Sequence, residues 1–217
     1  MARAAAASRT QEERTEEARA RLRSAALELF ASEGYTAPSM AAISLRAGYS
    51  RTLAQYHFAD KAALAMDLIR DRLRRDNQVE LLDCPAEAPA EAAWAALIAH
   101  LDAVTDHYTM LHGLNDHGTR VRGEMAIHAA ALMGSDPAIS AAVDSSTRDL
   151  IARIERLLAR CKAGGLIRPE TDAHAMAVLH VHSIWGLALA LFANPKGTRA
   201  IKTAFSQIRL LLEALRT

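Results

Sequence analysis

The sequence predicts an all-α protein in two parts, an N-terminal three-helix head bearing a helix-turn-helix and a C-terminal helical bundle. Three observations carry that expectation. Ala, Leu and Arg dominate the 217 residues, and helix formers outnumber β-branched residues throughout. Apolar residues recur every three or four positions in one segment after another. The stretch from Ser39 to Lys61, SMAAISLRAGYSRTLAQYHFADK, reads as two short helices joined by a tight turn, then the start of a third. A chain of this length buries a sizeable core and has room for one or two domains.

Taken in order, residues 1–15 read as a flexible arm, without the apolar core of a signal peptide. Arg3 and Arg9 there either follow a nucleic-acid groove or are simply solvated. Residues 16–75 form the head. Leu22, Ala25, Ala26, Leu29 and Phe30 make the apolar face of its first helix, which ends at Gly34; Tyr35 then plugs a core belonging to the head itself. Ser39 caps the second helix, whose inner face is Met40, Ile43 and Ala47. Gly48 stops it, because glycine takes positive φ without penalty. Ser50 caps the third, which carries Arg51, Thr52, Gln55, Tyr56 and His57 on its outer side. Asp60 caps the fourth, with Leu64, Leu68 and Leu73 facing inward.

Pro85 and Pro89 mark the break before residues 76–217, the second domain. One helix runs from about Ala90 to His107. A second region, Thr109 to Met133, is interrupted near Gly113–Gly118. Asp136-Pro137 opens a long helix, Asp as cap and Pro in the first turn, that continues to Gly164-Gly165. The next, from about Asp172 to Phe192, is long and apolar enough to cross a membrane. His174, His180, His182 and Ser183 interrupt it, and a helix buried on every side is the better reading. The last helix follows Pro195 and sets Ile201, Phe205, Ile208, Leu212 and Leu215 on one stripe.

Charge divides unevenly: residues 1–75 hold 13 Lys/Arg against 9 Asp/Glu, a balance of +4, and the remainder hold 13 against 16, a balance of −3. A basic head on a mildly acidic body suits nucleic-acid binding. Cys84 and Cys161 are the only cysteines and read as reduced thiols of a cytoplasmic protein. No nucleophile triad, phosphate loop or paired zinc motif appears. His107, His112 and His117, five apart, turn about 140° per step on a helix and scatter. Glu124 and His128 share a face and read as a surface hydrogen-bonded pair. His180 and His182 point to opposite sides of their helix, as buried histidines bonded to neighbours. Neither a metal nor a cofactor is expected.

Ala26, Leu29, Phe30, Gly34, Tyr35, Ser39, Ile43, Ala47, Gly48, Ser50, His57, Phe58, Lys61 and Leu64 together resemble the DNA-binding domain of the tetracycline-repressor (TetR) family of bacterial regulators. The resemblance spans about fifty residues at fixed spacing. Two positions depart from the pattern: Gln55 stands where a tyrosine is usual, with Tyr56 one place later, and Thr52 replaces a common small residue.

The resemblance implies a homodimeric, ligand-responsive transcriptional regulator, a repressor on a near-palindromic DNA operator, with a small-molecule pocket in the second domain. Arg51 is the first choice to read guanine, since a guanidinium bonds both O6 and N7. Thr52 and Gln55 would contact base edges, Tyr56, His57 and Lys61 phosphates, and Ser39 and Ser50 the helix starts beside them. Trp94, His100, Met110, Asn115, Arg120, Met125 and Trp185 either line the pocket or fill the bundle core. The last two helices would dimerise through Trp185, Leu189, Phe205, Ile208 and Leu212. An activator, an effector-independent regulator, or a helical enzyme or carrier bearing this head are the alternatives, and no membrane partner is expected.

Overall fold

The computed structural model describes residues 10–75, 79–109, 116–193 and 198–217. Among them the helices are α1 (Gln11–Glu33), α2 (Met40–Arg46), α3 (Arg51–His57), α4 (Lys61–Arg75), α5 (Ala90–Thr109), α6 (Asp116–Leu132), α7 (Pro137–Ala163), α8 (Ala173–Ala193) and α9 (Thr198–Glu213). A 3-10 turn at Val79–Leu82 lies between α4 and α5. No strand occurs among the described residues, only an isolated bridge from Ile167 to Arg216 that pins the C-terminus to the turn before α8. Arg3, Arg9, Met110, His112 and Asn115 fall outside the described residues, as do the side chains of Leu73 and His117.

The expected starts and stops are largely where the chemistry put them. Asp136 caps α7 with Oδ1, accepting from Ala138 N at 3.0 Å, and Asp60 caps α4 through Ala63 N at 2.7 Å. The arm is shorter than expected. Thr10 and Glu13 form a reciprocal capping box, Glu13 N donating to Thr10 Oγ1 at 3.2 Å and Thr10 N to Glu13 Oε2 at 2.7 Å. Helix α1 therefore starts at Gln11 and not after Thr15. Gly118 lies within α6 and does not interrupt it.

Two apolar clusters form the core. One joins α5, α7, α8 and α9 through Leu97, Leu101, Ile154, Leu158, Val181 and Phe205. The other begins in the head with Leu22, Phe30, Ile43 and Leu64 and continues into Ala126, Ile127 and Ala130 of α6 and Ile139 of α7. The head thus has no separate core: its apolar face is closed by the body. Helices α1 and α6 approach so closely that a Cβ on Gly123 would sit 2.5 Å from the carbonyl oxygen of Leu27 and 2.9 Å from its Cα. A second tie is polar, Tyr35 Oη donating to Asp136 Oδ2 at 2.9 Å. Burial, then this bond, raises the Tyr35 pKa well above that of a free phenol.

The apolar faces of the last two helices differ from expectation. Phe205 and Leu212 are each 1 % exposed and Ile208 is buried, all within the chain's own core, while Trp185 and Leu189 are half-buried against it. The stripe Ile201–Leu215 faces inward because α9 must close the bundle over α5 and α8. Outward-facing instead are Leu210 and Leu211 of α9, 53 % and 58 % exposed, and Leu179, His182, Gly186 and Ala190 of α8. Helix α8 is accordingly not buried on every side: one stripe of it is open.

Because the Gly123 clash is with backbone, no rotamer change relieves it. Gly123→Ala should lower stability by about 1–3 kcal/mol, read as a fall in Tm in one melting transition. An unchanged Tm would mean that α1 and α6 separate freely.

Candidate nucleic-acid interface

The helix-turn-helix is built by local sequence. Ser39 Oγ accepts from Ala42 N at 3.1 Å and starts α2; Gly48, at φ 77°, ends it, with Gly48 N donating to Leu45 O and Tyr49 N to Ser44 O. Ser50 Oγ accepts from Leu53 N at 3.3 Å and starts α3. One turn of α3 is pinned by buried Ala54, which leaves Arg51, Thr52, Gln55 and Tyr56 exposed together. Arg51 is exposed, and Tyr56 is 76 % exposed. These four residues, expected to meet bases and phosphates, share one free surface.

The other expected contacts fare differently. His57 is half-buried, its ring edge-on to Tyr56 at 5.2 Å between centroids. Burial, then the Arg19 charge, lowers its pKa, which favours the neutral ring. The Ser39 and Ser50 hydroxyls are used as caps. Lys61 departs from expectation. Its ammonium donates to the carbonyls of Tyr35 at 2.9 Å, Thr36 at 3.0 Å and Pro38 at 3.0 Å. Three donors meet three acceptors, so none is left for a phosphate. The Nζ also lies 4.6 Å from the Tyr35 ring centroid, and burial, partly offset by Asp136, lowers its pKa. Lys61 holds the α1–α2 connection.

A second clamp had no counterpart in the sequence reading. Asp67 of α4 accepts from Arg19 Nη2 at 2.9 Å and Arg23 Nε at 2.6 Å, both on α1. Burial by itself raises the Asp67 pKa, but Arg23 and then Arg19 outweigh it and hold the carboxyl below its ordinary range. A depressed carboxyl stabilises above its unfolded pKa and loses that contribution as pH falls through the folded value. Also unanticipated is Leu45, 80 % exposed at the end of α2. Two positions from Ile43 is about 200° around a helix, so an outward apolar residue was legible there. Such a side chain suits a thymine methyl.

In the body, the expected pocket residues are not gathered in one place. Trp94 is buried with the Arg216 guanidinium 5.4 Å from its ring centroid, and Met125 lies in the core. Arg120 pairs with Glu124 at 3.6 Å along a groove between α1 and α6. Among the described residues, His100 and Trp185 line a common cavity, of about 10 Å³. Glu124 and His128 are buried, not on the surface, and His128 Nδ1 lies 3.0 Å from the backbone oxygen of Glu124. Among the described residues no cluster of three metal-ligating side chains occurs.

The Lys61 assignment has a direct check. Lys61→Met should cost on the order of 1–3 kcal/mol of stability, while the slope of log affinity for DNA against log salt stays that of the wild type. A slope shallower by about one charge would return Lys61 to the phosphates.

Residues 22–68 match the family model of the bacterial regulatory proteins of the tetR family. No curated protein matches the chain significantly. Among solved structures, SmeT in complex with triclosan superposes with a TM-score of 0.74 at 17 % identity, over 92 % of each chain. NalD, the secondary repressor of the MexAB-OprM multidrug efflux pump in Pseudomonas aeruginosa, gives 0.64 at 18 %, over 90 % of this chain and 97 % of its own. A TetR-family transcriptional regulator from Pectobacterium atrosepticum gives 0.61 at 23 %, over 96 % and 98 %. At these identities the superpositions establish the fold, and it is the fold these regulators share from head to last helix. Residues 22–68 thus match the DNA-binding head of the tetR family, and the chain as a whole has the fold of these regulators.

Proposed function

We propose that the protein is a cytoplasmic repressor that binds a near-palindromic operator as a homodimer and releases it when a small molecule enters the body. The observation that carries the DNA half is the single surface formed by Arg51, Thr52, Gln55 and Tyr56 on a helix narrow enough for a major groove. Arg51 reads a guanine, Thr52 and Gln55 neighbouring base edges, and Tyr56 a phosphate. Leu45 lies against a thymine methyl. One head offers too few contacts for tight binding at physiological salt, so two act together.

The partner head comes from a second copy joined through α8 and α9. The open apolar stripe of Leu179, Gly186, Ala190, Leu210 and Leu211 supports this, since so many apolar side chains facing water are costly in a lone chain. Small residues at 186 and 190 permit close helix approach. For the ligand half, the support is the fold shared with SmeT, solved with triclosan, and with NalD, a repressor of an efflux pump. A ligand shifts the heads only if it binds one of their separations more tightly than the other.

A mobility shift of the protein's own upstream DNA tests the reading most directly; no retardation at any concentration would sink it. Arg51→Ala should cost roughly 1–3 kcal/mol on the preferred site and relax selection at one position in each half-site. An unchanged consensus from selection with the mutant would remove Arg51 as a reader. Leu210→Glu with Leu211→Glu should halve the sedimenting mass and leave each chain folded, because both side chains already face solvent. A double mutant that still sediments as a dimer would place the interface elsewhere.

A further inference from the structure

The cavity between α5, α7 and α8 is lined by His100, Leu150, His180, Ile184 and Trp185. At about 10 Å³ it has room for roughly one water. His180 is 2 % exposed, and neither of its ring nitrogens has a hydrogen-bond partner among the described residues. Its ring lies 6.1 Å from that of His100, centroid to centroid. A buried imidazole left in this state costs stability that a leucine of similar size would not. The same position exposes its donor and its acceptor to whatever enters the cavity.

We propose that this cavity, once opened, seats a neutral and largely apolar molecule bearing a hydroxyl, and that His180 is the group that recognises the hydroxyl. The inference rests on the reading that the body holds the effector, and it names the effector's chemistry. Burial, then the neighbouring His100, pushes the His180 pKa down to about 3, so the ring is uncharged near neutral pH. A neutral imidazole offers one N–H donor and one nitrogen acceptor, and a hydroxyl, which also donates and accepts, satisfies it. Apart from His100 and the indole of Trp185 the remaining walls are aliphatic, and no lysine or arginine lines the cavity among the described residues. A carboxylate or phosphate entering there would lose its hydration without gaining a cation, and is excluded.

The seat is also placed to act on the head. Trp185 lines the cavity and packs against both apolar clusters. Its ring meets His128 of α6 edge-on at 4.7 Å, and α6 is the helix that bears α1. A ligand that opens the cavity displaces Trp185 toward that contact.

The test uses the full-length protein and a matched pair of probes, 2-naphthol and naphthalene, which differ by one hydroxyl. Calorimetry on the wild type should give one 2-naphthol per chain, bound at least about tenfold more tightly than naphthalene, as expected when a buried polar group is left unpaired by the analogue. His180→Leu should bring the two probes within about twofold of each other. His180→Gln, which keeps a donor and an acceptor, should preserve the preference, and serves as the readout if the leucine variant does not fold. No binding of 2-naphthol to the wild type, equal binding of the two probes, or a tenfold preference surviving in His180→Leu would each overturn the proposal. Operator binding without probe, equal in wild type and His180→Leu, tests the regulator reading separately. A wild type without the preference but with intact DNA binding condemns only the seat, and a wild type with the preference but without DNA binding condemns only the regulator.

Discussion

The packing of α6 against α1 is the contact on which the rest of the structure depends. Gly123 lets two backbones approach to a distance that no side chain tolerates, and around it Ala126, Ile127 and Ala130 close the apolar face of the head. Small residues on α6 make this a contact of helix surfaces, not of interleaved long side chains. Helices packed that closely move together or separate outright, because dense packing has few intermediate arrangements. The Tyr35–Asp136 bond adds direction to it: the carboxylate that caps α7 also receives the head's buried phenol. Head orientation is therefore written into where α6 and α7 begin and lie.

Within the head, charge serves architecture as much as recognition. Lys61, Arg19, Arg23 and Asp67 all look like surface charge in the sequence, yet each is spent on joining one helix or connection to another. Lys61 satisfies three carbonyls in the stretch between α1 and α2, where no helical partner exists for them. The consequence for recognition is that these charges are engaged away from α3, whose outer side is left to Arg51, Thr52, Gln55 and Tyr56.

Much of this was legible in the sequence because it is local. Caps at Ser39, Ser50, Asp60 and Asp136 and the stop at Gly48 are each decided within a few residues, and the structure has all of them. The capping box of Thr10 and Glu13 is equally local. What periodicity could not supply is the identity of a stripe's partner. Phe205, Ile208 and Leu212 form an apolar stripe whether it meets a second chain or the chain's own α5 and α8, and only the three-dimensional arrangement decides for the latter. The same holds for Lys61, whose acceptors lie 23 to 26 residues away. Pocket residues are harder still. Trp94, Met125 and Arg120 are of suitable type but lie in different parts of the body, while His180 is in the sequence indistinguishable from an ordinary buried histidine.

The small size of the cavity beside His180 has a consequence for how such a regulator is tuned. A seat that is closed at rest binds only through the fraction of molecules in which its walls have parted. If that fraction is about one in a hundred, the observed dissociation constant is about a hundredfold weaker than that of the open form. Substitutions in the walls that never touch the ligand would then set the concentration at which the protein responds, while His180 sets what it responds to. Sensitivity and selectivity would be carried by different residues, and each is free to change without the other.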